Sequence, residues 1–161
     1  MDFHKTAASF TPTQKALHWA VVGLLALQYF VFDAMGRAFH QQMEGTATYD
    51  TTVVAHIVLG VALLALTLWR LALRLGHGTP AAPAAEPALF ARLSKIAHAA
   101  IYALLLALPM LGLIAWFGKV GAAAGLHETL TNVLLALVVV HVAAVVVHQV
   151  WWKTGLIARM R

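Results

Sequence analysis

The chain has 161 residues, of which 61% are hydrophobic and 11% charged, and its mean hydropathy is +0.80. That balance excludes a water-soluble globular domain. A formal charge of +5 would suggest a nucleic-acid partner in a soluble protein, but the basic residues here cluster beside apolar spans, where membrane topology accounts for them. The absence of cysteine excludes disulfides, thiolate metal sites, iron–sulfur clusters and the covalent attachment of c-type haem.

Taken in order, residues 1–14 are polar and end in a Thr11-Pro12-Thr13 turn suited to starting a helix. The first predicted span, 15–32, opens with Ala16-Leu17-His18-Trp19 and stays apolar until Gln28. It reads as retained, because cleavage as a signal would remove His18. Residues 33–52 carry Gly36, Gly45 and three acids and are expected to form an external loop. The second span, 53–75, begins at Ala55-His56-Ile57 and ends on Arg70 and Arg74. Residues 76–87 are rich in Pro, Ala and Gly and form a linker that continues neither helix. The third span, 94–117, has His98 in its first turn and Pro109 deeper in, where neighbouring helices tolerate a kink. After a short loop at 118–125, the fourth span, 125–152, ends in Trp151-Trp152-Lys153, an interfacial belt. The expectation is one all-α membrane domain over residues 1–161, a four-transmembrane-helix bundle.

Positive charge orients it. Lys5, Lys15, Arg70, Arg74, Arg92, Lys95, Lys153, Arg159 and Arg161 fall on the side of the termini and the linker, against only Arg37 and Lys119 on the other. Both termini are therefore expected in the cytoplasm.

His127, His141 and His148 are spaced by fourteen and seven residues, which at ~100° per residue returns all three to one helix face. A rise of ~1.5 Å per residue sets His127 and His141 on the order of 21 Å apart within a hydrocarbon core ~30 Å thick. Ionisable residues inside a bilayer mark functional sites by default, although a histidine can also serve as polar glue between helices. Depth sorts the rest. His56 and His127 are the histidines within spans on the outer side. On the inner side His18, His98, His141 and His148 all lie within reach of one layer, and spacing does not choose between them. His4, His40 and His77 read as solvated.

Two facing imidazoles, with only Glu128 near the outer pair, fall short of the roughly four ligands a zinc site needs. Haem iron needs just two axial ligands, and imidazole is a common one in bundle cores. Ala55, Ala97, Ala143 and Ala144 beside the histidines are expected to leave room for a flat ring.

Ala16-Leu17-His18-Trp19, His56, Arg70-Leu71-Ala72-Leu73-Arg74, His98-Ala99-Ala100-Ile101-Tyr102, Leu108-Pro109-Met110-Leu111-Gly112, His127-Glu128-Thr129-Leu130, and His141 with His148 and Trp152-Lys153 together resemble the bacterial cytochrome b561 family. The likeness covers nearly the whole chain. It implies an inner-membrane protein with two non-covalent haem b groups, the outer on His56 and His127 and the inner on His18 and His141. The resemblance also makes His98 and His148 candidates for haem support or a quinone site. Arg70, Arg74 and Lys153 would stand near haem propionates or a quinone head; the alternative for them is positive-inside anchoring. One type within the family is a superoxide:ubiquinone oxidoreductase, a superoxide oxidase, which passes electrons from superoxide outside to ubiquinone. The connection between the third and fourth spans is shorter here than is usual in that family. His148 would protonate the quinone and Lys153 would stabilise its negative charge; otherwise His148 snorkels to the headgroups. The other functional reading is a cytochrome b subunit that anchors a separate periplasmic redox protein. Membrane lipid is a partner in either case, and nucleic acid in neither.

Overall fold

The computed structural model describes residues 6–7, 9–30, 35–83 and 86–161. The expectations for His4 and Lys5, and the end of the first span at 31–32, lie outside the described residues.

Helix α1 (Pro12–Phe30) starts where the Thr-Pro-Thr turn predicts. The Thr11 hydroxyl accepts from the Gln14 amide at 3.2 Å and the Gln14 side chain accepts from the Thr11 amide at 2.9 Å. This reciprocal capping satisfies two otherwise orphaned donors, and Pro12 occupies the first helical position, where its missing N–H costs nothing. The expected external loop contains a helix of its own, α2 (Met35–Glu44). Its pattern of Met35, Phe39 and Met43 at four-residue spacing was hidden by the polar composition around it.

Asp50 caps helix α3 (Thr51–His77), accepting from the Val53 amide at 2.9 Å. Helix α4 (Ala88–Gly118) begins six residues earlier than the predicted span and runs without interruption past Pro109. Lys119, in the left-handed region at φ 51°, closes it. Helix α5 (Gly121–Val150) follows almost at once, so the expected loop at 118–125 shrinks to a two-residue turn. The run of Ala122, Ala123 and Ala124 explains the difference, since alanine is the strongest helix former. A short α6 (Leu156–Arg159) ends the chain.

The 76–87 linker is fastened at several points. Strand β1 (Thr6–Ala7) pairs in parallel with β2 (Thr79–Pro80). The Gln14 side chain donates to the Gly78 carbonyl at 3.2 Å, and Arg159 donates to the Ala81 carbonyl at 2.9 Å. Lys15 and Trp19 donate to the Arg161 and Met160 carbonyls at 2.6 and 2.9 Å, drawing the C-terminus onto the start of α1.

Among the described residues, α3, α4 and α5 are each long and apolar enough to cross a membrane, and a fourth crossing counts if α1 and the bent α2 are taken as one span. Their 27, 31 and 30 residues exceed what a hydrocarbon core requires. Valines, leucines and tryptophans stay exposed along these helices, as expected where lipid rather than water is the solvent. In the bundle α1 packs on α3, α3 on α4, and α4 most extensively on α5. The buried core is Val21, Leu63, Leu105, Leu108 and Leu134, drawn from all four long helices. It lies midway along the bundle: Leu134 is seven residues from both His127 and His141, and Leu63 is seven residues from His56.

Candidate functional site

Histidines collect above and below this aliphatic core. At the end of the bundle where α3 starts, His56 on α3 faces His127 on α5, with ring centroids 6.2 Å apart and planes at 62°. His127 is held from three sides. Its Nδ1 lies 2.9 Å from the Leu108 carbonyl, so Nδ1–H donates there and Nε2 is left as the acceptor. The Thr131 hydroxyl donates to the His127 carbonyl at 2.7 Å, and Tyr29 on α1 donates to the Thr131 carbonyl. Gln28 on α1 donates to the His56 carbonyl at 2.9 Å.

Gly112 of α4 completes this layer. A Cβ built on it would stand 3.3 Å from the His127 Cε1, tight enough that the ring would have to move. The residue stood in the Leu108–Gly112 string at the sequence level, but its pairing with a histidine fifteen residues further on is a tertiary fact.

The geometry suits one metal between two imidazoles. Nitrogen ligands at about 2 Å on opposite sides of a single ion put their ring centroids about 6 Å apart. An Nδ1–H donated to a backbone carbonyl is also the usual support of an axial histidine.

At the other end three histidines converge where the resemblance implies a pair. His98 on α4 meets His141 on α5 edge to face at 5.2 Å between centroids, and its Nδ1 donates to the Ser94 carbonyl at 2.7 Å. His18 on α1 lies within electrostatic reach of Arg70, His141 and His98, and its ring packs against Trp19 at 5.4 Å. Arg70 and Arg74 reach a ring of the neighbouring helix α4. Their guanidinium carbons lie 5.9 and 5.7 Å from the centre of the Tyr102 ring, and Arg70 donates to the Gln14 carbonyl at 3.3 Å. Both thus stand at the edge of the histidine layer, where two positive charges favour an anionic group.

His148 departs from the snorkelling alternative: it is 6% exposed. Its Nδ1 is 3.1 Å from the Thr154 hydroxyl, its ring lies edge-on to Trp152 at 4.6 Å, and its Nε2 stands 3.4 Å from a carboxylate oxygen of Glu86. No sequence signal pairs residues 86 and 148, because the linker's fold brings them together. Lys153 is exposed and in the left-handed region at φ 50°. It turns the chain after α5 so that Thr154 comes back under His148.

Other expectations divide. His40 is exposed beside Glu44 at 3.2 Å, and His77 is exposed. Glu128 is exposed as well. Of the four alanines expected to make room for a ring, Ala55 and Ala97 are half-buried, whereas Ala143 and Ala144 are exposed on the outer surface of α5. Gly112, on α4, leaves the space beside His127 that a Cβ would take from the imidazole.

Residues 9–161 match the family model described as prokaryotic cytochrome b561. The chain belongs to the prokaryotic cytochrome b561 family. It is 32% identical to the protein named cytochrome b562 of Cereibacter sphaeroides over 94% of each chain. It is also 26% identical to cytochrome b561 homolog 1 of Escherichia coli K12, over 94% of this chain and 96% of that one. As a member of this family the cytochrome is a multi-pass protein of a bacterial membrane that binds haem b and transfers electrons.

Proposed function

We propose that this cytochrome takes electrons from superoxide at its outer face and delivers them to ubiquinone at the cytoplasmic end, through two haem b groups. The carrying observation is the outer pair, His56 and His127, at the 6.2 Å separation that suits two axial imidazoles. Haem b, when bound, supplies a one-electron iron couple. Everything else in the reaction falls to the chain's own residues.

His56 and His127 would hold the outer group through their imidazole nitrogens. His18 and His141 do the same for the inner group, as the family resemblance implies, and His98 stands beside them with its Nδ1–H committed to Ser94. Arg70 and Arg74 balance the propionate charge at the inner layer. The aliphatic core between the layers excludes water from the path. His148 gives a proton to the quinone, and Lys153 favours negative charge on its head group. The balance is two superoxides, one quinone and two protons giving two oxygens and one quinol.

The pyridine haemochrome of the purified protein should give two haems per chain, and superoxide should reduce them with subsequent reoxidation by ubiquinone. One haem per chain would remove the two-layer reading. Two haems that superoxide does not reduce would favour the subunit that anchors a separate redox enzyme.

The proposed direction of flow requires both termini in the cytoplasm, which the distribution of Lys and Arg supports. Reporter fusions at the C-terminus and within 76–87 should both register cytoplasm. A periplasmic signal from either would reverse the order of the two layers.

A further inference from the structure

Glu86 is the single acidic residue between Asp50 and Glu128, and its side chain is 5% exposed against an imidazole that is 7% exposed. An acid in a Pro- and Ala-rich linker has every opportunity to face water. Burying it instead requires compensation, and a buried carboxylate is tolerated when a partner shares or neutralises its charge.

The hydrogen bonds around His148 count the protons. The Thr154 hydroxyl has one hydrogen and donates it to the His148 carbonyl at 3.2 Å. With that bond made, its oxygen accepts at the 3.1 Å contact from Nδ1 in the tautomer that carries a hydrogen there. Only Nε2 and the Glu86 carboxyl remain. A proton between them lies where an imidazole nitrogen and a carboxyl oxygen can pass it from one to the other. The separation of 3.4 Å is an ion-pair distance, longer than a good N–H···O bond of about 2.7–3.2 Å. The Nε2 hydrogen is thus not locked to the carboxylate, and a third oxygen can take it. Trp152 and Phe90, packed edge to face at 5.0 Å, form an aromatic wall beside the pair, and Phe90 is 46% exposed. That wall suits an apolar molecule arriving from the membrane with an oxygen to protonate.

We infer that Glu86 is a positioning residue for proton delivery: it faces His148 Nε2 and, after the imidazole donates its proton, passes on a replacement taken up from the cytoplasmic side. The inference rests on the placement of the quinone site at His148. In the step, the Nε2–H bond breaks as an O–H bond forms on the quinone, whose two electrons come from superoxide through the haems. The Glu86 carboxylate then takes a proton from water and passes it to Nε2, and a second passage supplies the second proton. Arg159, bound to the Ala81 carbonyl, helps hold the linker that carries the carboxyl.

The test follows haem reoxidation by a short-chain ubiquinone in the purified, haem-loaded, pre-reduced protein, in ordinary and deuterated water. Glu86→Gln keeps size and hydrogen-bonding capacity but cannot relay a proton. It should lower the maximal rate roughly tenfold, raise the solvent isotope effect, and leave the haem spectrum and the half-saturating quinone concentration near those of the parent. Glu86→Asp should recover part of the rate. His148→Ala separates the two levels of the argument. If it reoxidises at the parent rate, the quinone site lies elsewhere and this inference falls with it. If His148→Ala is slow while Glu86→Gln matches the parent, or Glu86→Gln raises only the half-saturating concentration, the site stands and Glu86 is a clamp on the linker.

Discussion

His127→Ala is expected to leave the protein with one haem in place of two, and His56→Ala to lose the same one. Each removes an imidazole from a pair whose rings are 6.2 Å apart, and the adjacent Glu128 is exposed. His127 is also tied by its ring to Leu108 and by its backbone, through Thr131, to Tyr29. Its removal should therefore lower thermal stability as well. Gly112→Val tests the same layer without touching a proposed ligand. With the first added carbon already 3.3 Å from the His127 Cε1, the branched side chain forces the imidazole off its axis, and occupancy or potential of that haem should change alone.

The inner layer needs a sharper comparison, because three histidines meet there. His18→Ala and His141→Ala should each remove the inner haem, whereas His98→Ala should retain both. His98 donates to Ser94 one turn before it on α4, a bond that holds its ring without any metal. Loss of a haem in His98→Ala with both retained in His18→Ala would transfer the proposed ligand role from α1 to α4, in keeping with the His98–His141 ring contact.

The second large effect concerns the quinone. His148→Ala is expected to retain both haem bands and rapid reduction by superoxide, yet to slow reoxidation by ubiquinone at least several-fold. About two turns of helix, on the order of 10 Å, separate it from His141, so its loss should not disturb the inner ligands directly. What it removes is the buried imidazole that Thr154, Trp152 and Glu86 hold in place. Heme loss in this variant would make it a structural support of the inner layer, and an unchanged reoxidation rate would place the quinone elsewhere. Lys153→Ala should have a smaller effect, because that side chain is exposed and acts only through its charge.

The sequence by itself determined the class of this protein and the depth of its histidines. Apolar stretches long enough to cross a bilayer leave the backbone little choice but helix, because every N–H and C=O must be satisfied within the segment. Once the helices are regular, the spacing of His127, His141 and His148 is a statement about position in space. Helix ends were less legible: α4 and α5 extend beyond their apolar cores because Ala-rich flanks propagate a helix already started, and α2 was masked by its polar face. Only the tertiary structure decided what stands beside each histidine. Gly112 against His127, His98 against His141, and Glu86 against His148 join residues on different elements, and no periodicity within one helix contains the rotation of its neighbour. The linker shows the reason most plainly. Its composition predicts a chain that ends helices, but whether its one carboxylate meets water or a buried imidazole depends on the bonds that fasten Gly78 and Ala81 to α1 and α6.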